Sequence, residues 1–152
     1  MKRFRFPLRP VAILRAHQEL RAREAFAAAV HVYVEAEAEL ADTRARVARC
    51  ESDLFASRRD RFDASAAAEA FAAYRRECAA ETAAERVVVE KRAEMNARRS
   101  DYLEAHRKRE VVSRLEEKAR ATHRLDTLRE EQLELDDFAG RRRSLSTQFS
   151  AS

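Results

Sequence analysis

Glycine is nearly missing from this chain: 152 residues hold one, Gly140. Proline occurs only as Pro7 and Pro10, so nothing between Val11 and Ala139 strongly interrupts a helix. A loop that cradles phosphate needs several glycines for tight turns and close backbone approach, which excludes a nucleotide-binding enzyme of that kind. Tryptophan is absent, and the β-branched and aromatic residues are sparse and never alternate over a strand length. Two cysteines, Cys50 and Cys78, do not make a disulfide-rich secreted scaffold. The N-terminus is basic, but Arg9, Pro10 and Arg15 break any apolar core, so it does not read as a secretory signal. No stretch is long and apolar enough to span a membrane, and a cytoplasmic location is expected.

The side chains that carry chemistry are also scattered. His17, His31, His106 and His123 form neither a paired metalloprotease motif nor a Cys/His cluster at zinc spacing. Carboxylates abound, but a two-helix arrangement offers no cleft to shift their pKa values or exclude water. Serine and cysteine have no strained turn or paired base to activate them. We therefore expect no catalytic residue, no metal and no cofactor. Nucleic acid is not an expected partner either. A basic DNA-reading helix runs into a regular zipper, whereas here Arg is interleaved with Glu and Ala, and Arg141, Arg142 and Arg143 follow Gly140 instead of preceding a zipper.

What is present is helix-forming. Hydrophobic residues make up 45% and charged residues 38%, with Ala, Glu, Arg and Leu dominant, a mixture that points to a coiled coil. The net charge of +4 comes from 31 Lys and Arg against 27 Asp and Glu, interleaved as on a solvated helix surface. Basic excess gathers at Lys2, Arg3, Arg5 and Arg9 and at Arg141 to Arg143. It serves solubility and helix-end charge, or contact with an acidic partner or an anionic membrane surface.

After a short extended lead, Pro10 suits a helix first turn. A first helix is expected over about 10–61, a turn near 62–65, and a second helix over about 65–139, with an Asp or Ser of the break Asp60-Arg61-Phe62-Asp63-Ala64-Ser65 as N-cap and Gly140 as C-cap. Residues 1–140 then form one coiled-coil hairpin, and 141–152 a polar, flexible tail. Phe26, Tyr33, Leu40, Val47 and Leu54 recur every seventh residue, with Ala29, Ala36, Thr43 and Cys50 between them, which is a heptad seam. Tyr74, Val88, Met95 and Tyr102 fall on a second column, interrupted by Glu81. Folding near Ala64 makes facing numbers sum to about 128 and brings both seams into register. Phe26 then faces Tyr102, Tyr33 faces Met95, Leu40 faces Val88, Leu54 faces Tyr74, Ala16 faces Val112 and Ile13 faces Leu115. Val47 meets Glu81, a fault that a long carboxylate escapes by turning outward. Cys50 faces Cys78, either as two small seam residues or as a redox clasp. The fold class is all-α: an antiparallel two-helix coiled-coil hairpin.

The two helices are unequal. The first cannot start before about Leu8, so its partner residues stop near Arg120, and about twenty residues of the second, roughly 30 Å, overhang. Leu125, Leu128 and Leu135 form a stripe there with Gln132 and Ala139, flanked by Leu133 and Phe138. An unpaired apolar stripe needs another surface. Either the lead, with Phe4, Phe6 and Leu8, folds along it, or another protein does; the second reading is preferred.

The opening Lys2-Arg3-Phe4-Arg5-Phe6-Pro7-Leu8, followed by Val11, Leu14, Arg15 and Glu19, resembles the start of FliJ proteins of the flagellar export apparatus. The stretch Leu128 to Ala139, a charged helix ending in an acidic-aromatic-Ala step, is similar to that family's close. The resemblance implies a stalk-like protein that inserts into the hexameric ring of the export ATPase, links it to the membrane export gate FlhA, and handles empty export chaperones. It touches the membrane only through those partners. On this chain the implied ATPase-ring contact is Leu125, Leu128, Gln132, Leu135 and Phe138. The implied export-gate contact is Tyr33, Leu40, Tyr74 and Cys78, where Tyr74 matches the family's aromatic but Cys78, Glu81 and Glu85 depart from its pattern. Virulence secretion stalks share this plan and are an alternative, as is a structural coiled coil that self-associates through the overhang.

Overall fold

A computed structural model of the chain describes residues 3–57 and 63–149. It contains two helices, α1 (Arg9–Ser57) and α2 (Ala64–Phe149), and no strand among the described residues. α1 begins where expected. The Arg9 amide donates to the Phe6 carbonyl at 3.2 Å and the Ala12 amide to that of Leu8 at 2.9 Å, which puts Pro10 in the first turn, where its missing N–H costs nothing. Asp63 caps α2. Its carboxylate accepts the Ser65 amide at 3.0 Å and its carbonyl the Ala67 amide at 3.0 Å. Residues 58–62, which hold the expected end of the first helix and the start of the turn, lie outside the described residues.

Gly140 does not end α2. The helix passes through it to Phe149, where the sequence suggested a stop and a tail from 141. A glycine cap works by entering the left-handed region, and no described residue has a positive φ. Inside a helix glycine costs only about 1 kcal/mol relative to alanine, which helix-forming residues on both sides offset.

The chain divides into two compact units: Gln18–Ala105, and Met1–His17 with His106–Ser152. In the first, α1 and α2 run antiparallel, because partner numbers fall along one helix as they rise along the other. Phe26 stacks on Tyr102, with ring centroids 6.2 Å apart and planes 8° from parallel. Further along, Arg92 meets Tyr33, Arg44 meets Glu81 and Tyr74 meets Glu51. The residues turned inward on α1 are Phe26, Ala29, Tyr33, Ala36, Leu40, Thr43, Val47, Cys50 and Leu54, all half-buried or buried, and the heptad seam is therefore the packed face. Alanine at alternate layers leaves little apolar area to bury.

In the second unit Ala12 and Ala16 lie on a groove with Val112 and Glu116. Val112, 8% exposed, is the one buried apolar side chain among the described residues. Here the expected pairing of Ile13 with Leu115 fails, since both are exposed. The seam of this unit runs through Ala12 and Ala16 on α1 and Val112, Glu116 and Ala119 on α2, and Ile13 and Leu115 fall one position to its flank.

Candidate partner-binding surface

Polar side chains close the edges of the seam in the first unit. Arg44 donates from Nε to Glu81 at 3.2 Å and from Nη2 to Glu85 at 2.9 Å. Arg46 donates from Nε to Glu77 at 3.1 Å and from Nη2 to the Thr43 hydroxyl at 3.0 Å. Glu85 and Glu81 raise the Arg44 pKa above its ordinary value, as Glu77 does for Arg46. The seam fault at Glu81 is thus resolved by Arg44, which draws the carboxylate to the seam's edge. Thr43, 1% exposed, satisfies its hydroxyl by donating to the Glu39 carbonyl at 2.8 Å. These cross-links were not foreseen, although an arginine pair on α1 level with the only acidic interruption of the α2 column was the signal that could have found them.

The four residues suggested for a gate contact, Tyr33, Leu40, Tyr74 and Cys78, are all half-buried. Their polar atoms are engaged. The Tyr33 hydroxyl donates to Glu37 and accepts from Arg92 Nη2 at 3.0 Å, with the Arg92 guanidinium 5.7 Å from the Tyr33 ring centre. The Tyr74 hydroxyl donates to Glu51 at 3.1 Å, and hydrogen bonding with Cys78 and then with Glu51 pushes its pKa up to about 12. Cys50 and Cys78 are half-buried free thiols. Phe71, whose ring centroid is 6.4 Å from that of Tyr74, is exposed beside them.

The far end of α2 is different. Leu125, Leu128, Leu135 and Phe138 are 56%, 60%, 63% and 62% exposed. Gln132 is exposed and donates from Nε2 to Asp136 at 3.2 Å. The described residues of the N-terminal lead pack short of this stripe. Phe4 packs edge-on against His123, with ring centroids 5.5 Å apart, and under the Arg120 guanidinium at 5.3 Å. Helix geometry separates Phe4's contact from the stripe. At about 100° per residue, Leu125 stands about 200° and Leu128 about 140° round α2 from His123. The stripe faces away from the seam, and no extension of the lead along the seam covers it. Leu125, Leu128, Gln132 and Leu135 share one face, with Phe138 about 60° from Leu135.

Among the described residues no group of three His, Cys, Asp or Glu is placed to hold a metal ion, and no helix is long and apolar enough to cross a membrane.

The profile of one protein family, described as "Flagellar FliJ protein", matches residues 4–147. Neither a curated protein nor a solved structure matches the chain. The match takes in the lead, both seams and the leucine stripe, and it covers almost the whole sequence: the chain belongs to the FliJ family, a component of the flagellar export apparatus.

Proposed function

We propose that this chain is a central stalk-like protein of the flagellar export apparatus, whose α2 end binds inside the ring of the export ATPase and couples it to the export gate FlhA and to export chaperones. It acts by binding, not by catalysis, in the cytoplasm at the inner face of the membrane. The observation that carries the reading is the stripe of Leu125, Leu128 and Leu135, more than half exposed on a face that the chain's own fold leaves uncovered. Family membership favours the flagellar machine over a virulence secretion system. Tyr33, Leu40, Tyr74 and Cys78 remain the proposed gate contact. Because they are half-buried, the gate protein would meet them through the exposed Phe71 beside Tyr74.

The test is Leu125→Asp combined with Leu135→Asp. Both side chains already face solvent, so circular dichroism should show unchanged helicity. Stimulation of the export ATPase should be abolished. Undiminished stimulation by the folded variant rejects the stripe as the ring contact. A structural coil that self-associates through the overhang predicts a concentration-dependent dimer that these leucine changes abolish, and no binding to a hexameric ATPase at all.

A further inference from the structure

The unit that holds the chain's two ends carries two surfaces of opposite charge. The first is a recess of ≈ 600 Å³ where the lead meets α2, lined by Arg3, Arg5, Arg9 and Arg120 with Phe4 and Phe6. Its one carboxylate, Glu116, is held by Arg120 at 2.6 Å. Arg3, Arg5 and Arg9 have no acidic partner among the described residues, and the sequence contains no carboxylate before Glu19. α1 also starts here with no acidic residue in its first turn, so the positive end of its macrodipole adds to an uncompensated positive field. The second surface lies beyond the lead. From Glu130 to Gly140 there are five carboxylates and no base. Glu134 and Asp137 point within about 40° of the seam direction at His123, and Glu131 within about 80°. The direction that Phe4 covers at His123 is therefore acidic further along α2, as far as Arg141 one turn beyond Asp137, while the leucine stripe lies on the other side of the helix.

We propose that two copies of this chain associate, the arginine and phenylalanine recess of each taking the acidic α2 face of the other. The occupant is a second copy because the chain itself carries both complements and cannot join them internally. Glu131 to Asp137 lie further along the same continuous helix, beyond the recess. The spacing fits. Glu131, Glu134 and Asp137 span about 9 Å of helix, and the recess lined by Arg3, Arg5 and Arg9 lies along α2 between Glu116 and the contact of Phe4 with His123, about 10 Å. Antiparallel α2 ends crossing near Thr127 bring Arg3 to Glu131, Arg5 to Glu134 and Arg9 to Asp137, and Phe138 to the rim beside Phe6. That arrangement repeats itself about a twofold axis and closes as a dimer, whereas a parallel one would propagate as a filament. An interface led by exposed charges is reversible and sensitive to salt. It shares only Phe138 with the proposed ATPase contact, leaves the leucine stripe uncovered and does not depend on that reading.

Sedimentation velocity on the full chain tests it. Wild type should dimerise reversibly at about 50 mM salt and lose at least about tenfold in association constant at about 500 mM. The variant Arg3→Glu, Arg5→Glu, Arg9→Glu and the variant Glu131→Lys, Glu134→Lys, Asp137→Lys should each be monomeric, and their equimolar mixture should form a one-to-one heterodimer. Should a reversed variant lose helicity, Glu131→Gln, Glu134→Gln, Asp137→Asn replaces it and should be monomeric with wild-type circular dichroism. Leu125→Asp with Leu135→Asp should leave dimerisation intact. The proposal is overturned by a monomeric wild type at low salt, by a folded charge variant that dimerises like wild type, or by a mixture that stays monomeric. Loss of the dimer through the leucine changes alone also overturns it. So does a monomeric chain that binds vesicles of anionic lipid through Arg3, Arg5 and Arg9.

Discussion

Tyr102 and Leu128 stand on the same helix, both among charged residues, and meet opposite fates. Tyr102 is half-buried against Phe26, whereas Leu128 is 60% exposed. The stretch from Tyr74 to Tyr102 has α1 opposite it, and its larger apolar residues are used in the fold. In the stretch from Leu125 to Phe138, Leu125, Leu128 and Leu135 face away from where α1 would be and are exposed. Apolar side chains that contribute nothing to a protein's own packing are where an outside partner is to be sought.

The sharpest test of that contrast is a pair of truncations. Phe26→Ala removes a stacked aromatic pair from a seam that buries little else, and should lower stability by about 2 kcal/mol in a urea titration. Leu128→Ala deletes a side chain with no packing role and should change stability by no more than about 0.5 kcal/mol. Comparable losses at the two sites would mean that the end of α2 is packed against something in the free protein.

The division was legible in the sequence only in part. The seam was readable because its three-four spacing persists from Phe26 to Leu54 with no glycine or proline to shift the phase, and the half-buried positions of α1 follow it. Gly140 misled because a lone glycine before a polar run looks like a helix stop, although mid-helix glycine costs too little to force one. The excess of leucine past Arg120 was visible, but not which way it faced. That direction depends on where the seam has drifted by His123, the same drift that separates Ile13 from Leu115. The docking of Phe4 under Arg120 joins residues more than a hundred positions apart, and no local pattern encodes it.

A smaller effect sharpens the account of the paired stretch. Glu81 interrupts the seam and is held at its edge by Arg44, which keeps Glu85 as a second partner. Glu81→Leu should restore an apolar layer against Val47 and raise stability by about 1 kcal/mol in the same titration. A loss would mean that the Arg44 pair contributes more than the apolar layer.

The smallest effect concerns pH. The Tyr74 phenol titrates at about 12 in the fold, above its ordinary value of 10.0, because its neutral form bonds with Cys78 and Glu51. Its contribution to stability is therefore whole below pH 10 and is lost as pH rises through about 12. Ultraviolet absorbance of tyrosinate should show one late-titrating tyrosine that Tyr74→Phe removes. A wild-type curve identical to that of the variant apart from amplitude would contradict the seam geometry at Tyr74.

The central claim is that the ATPase contact lies on the outward leucines of α2 and not on the seam. Side-chain footprinting of the full chain with and without the hexameric export ATPase tests it most directly. The account predicts strong protection of Leu125, Leu128 and Leu135, with Tyr33 and Tyr102 unchanged. Protection confined to residues 18–105, with those three leucines as reactive in the complex as in the free chain, would contradict it.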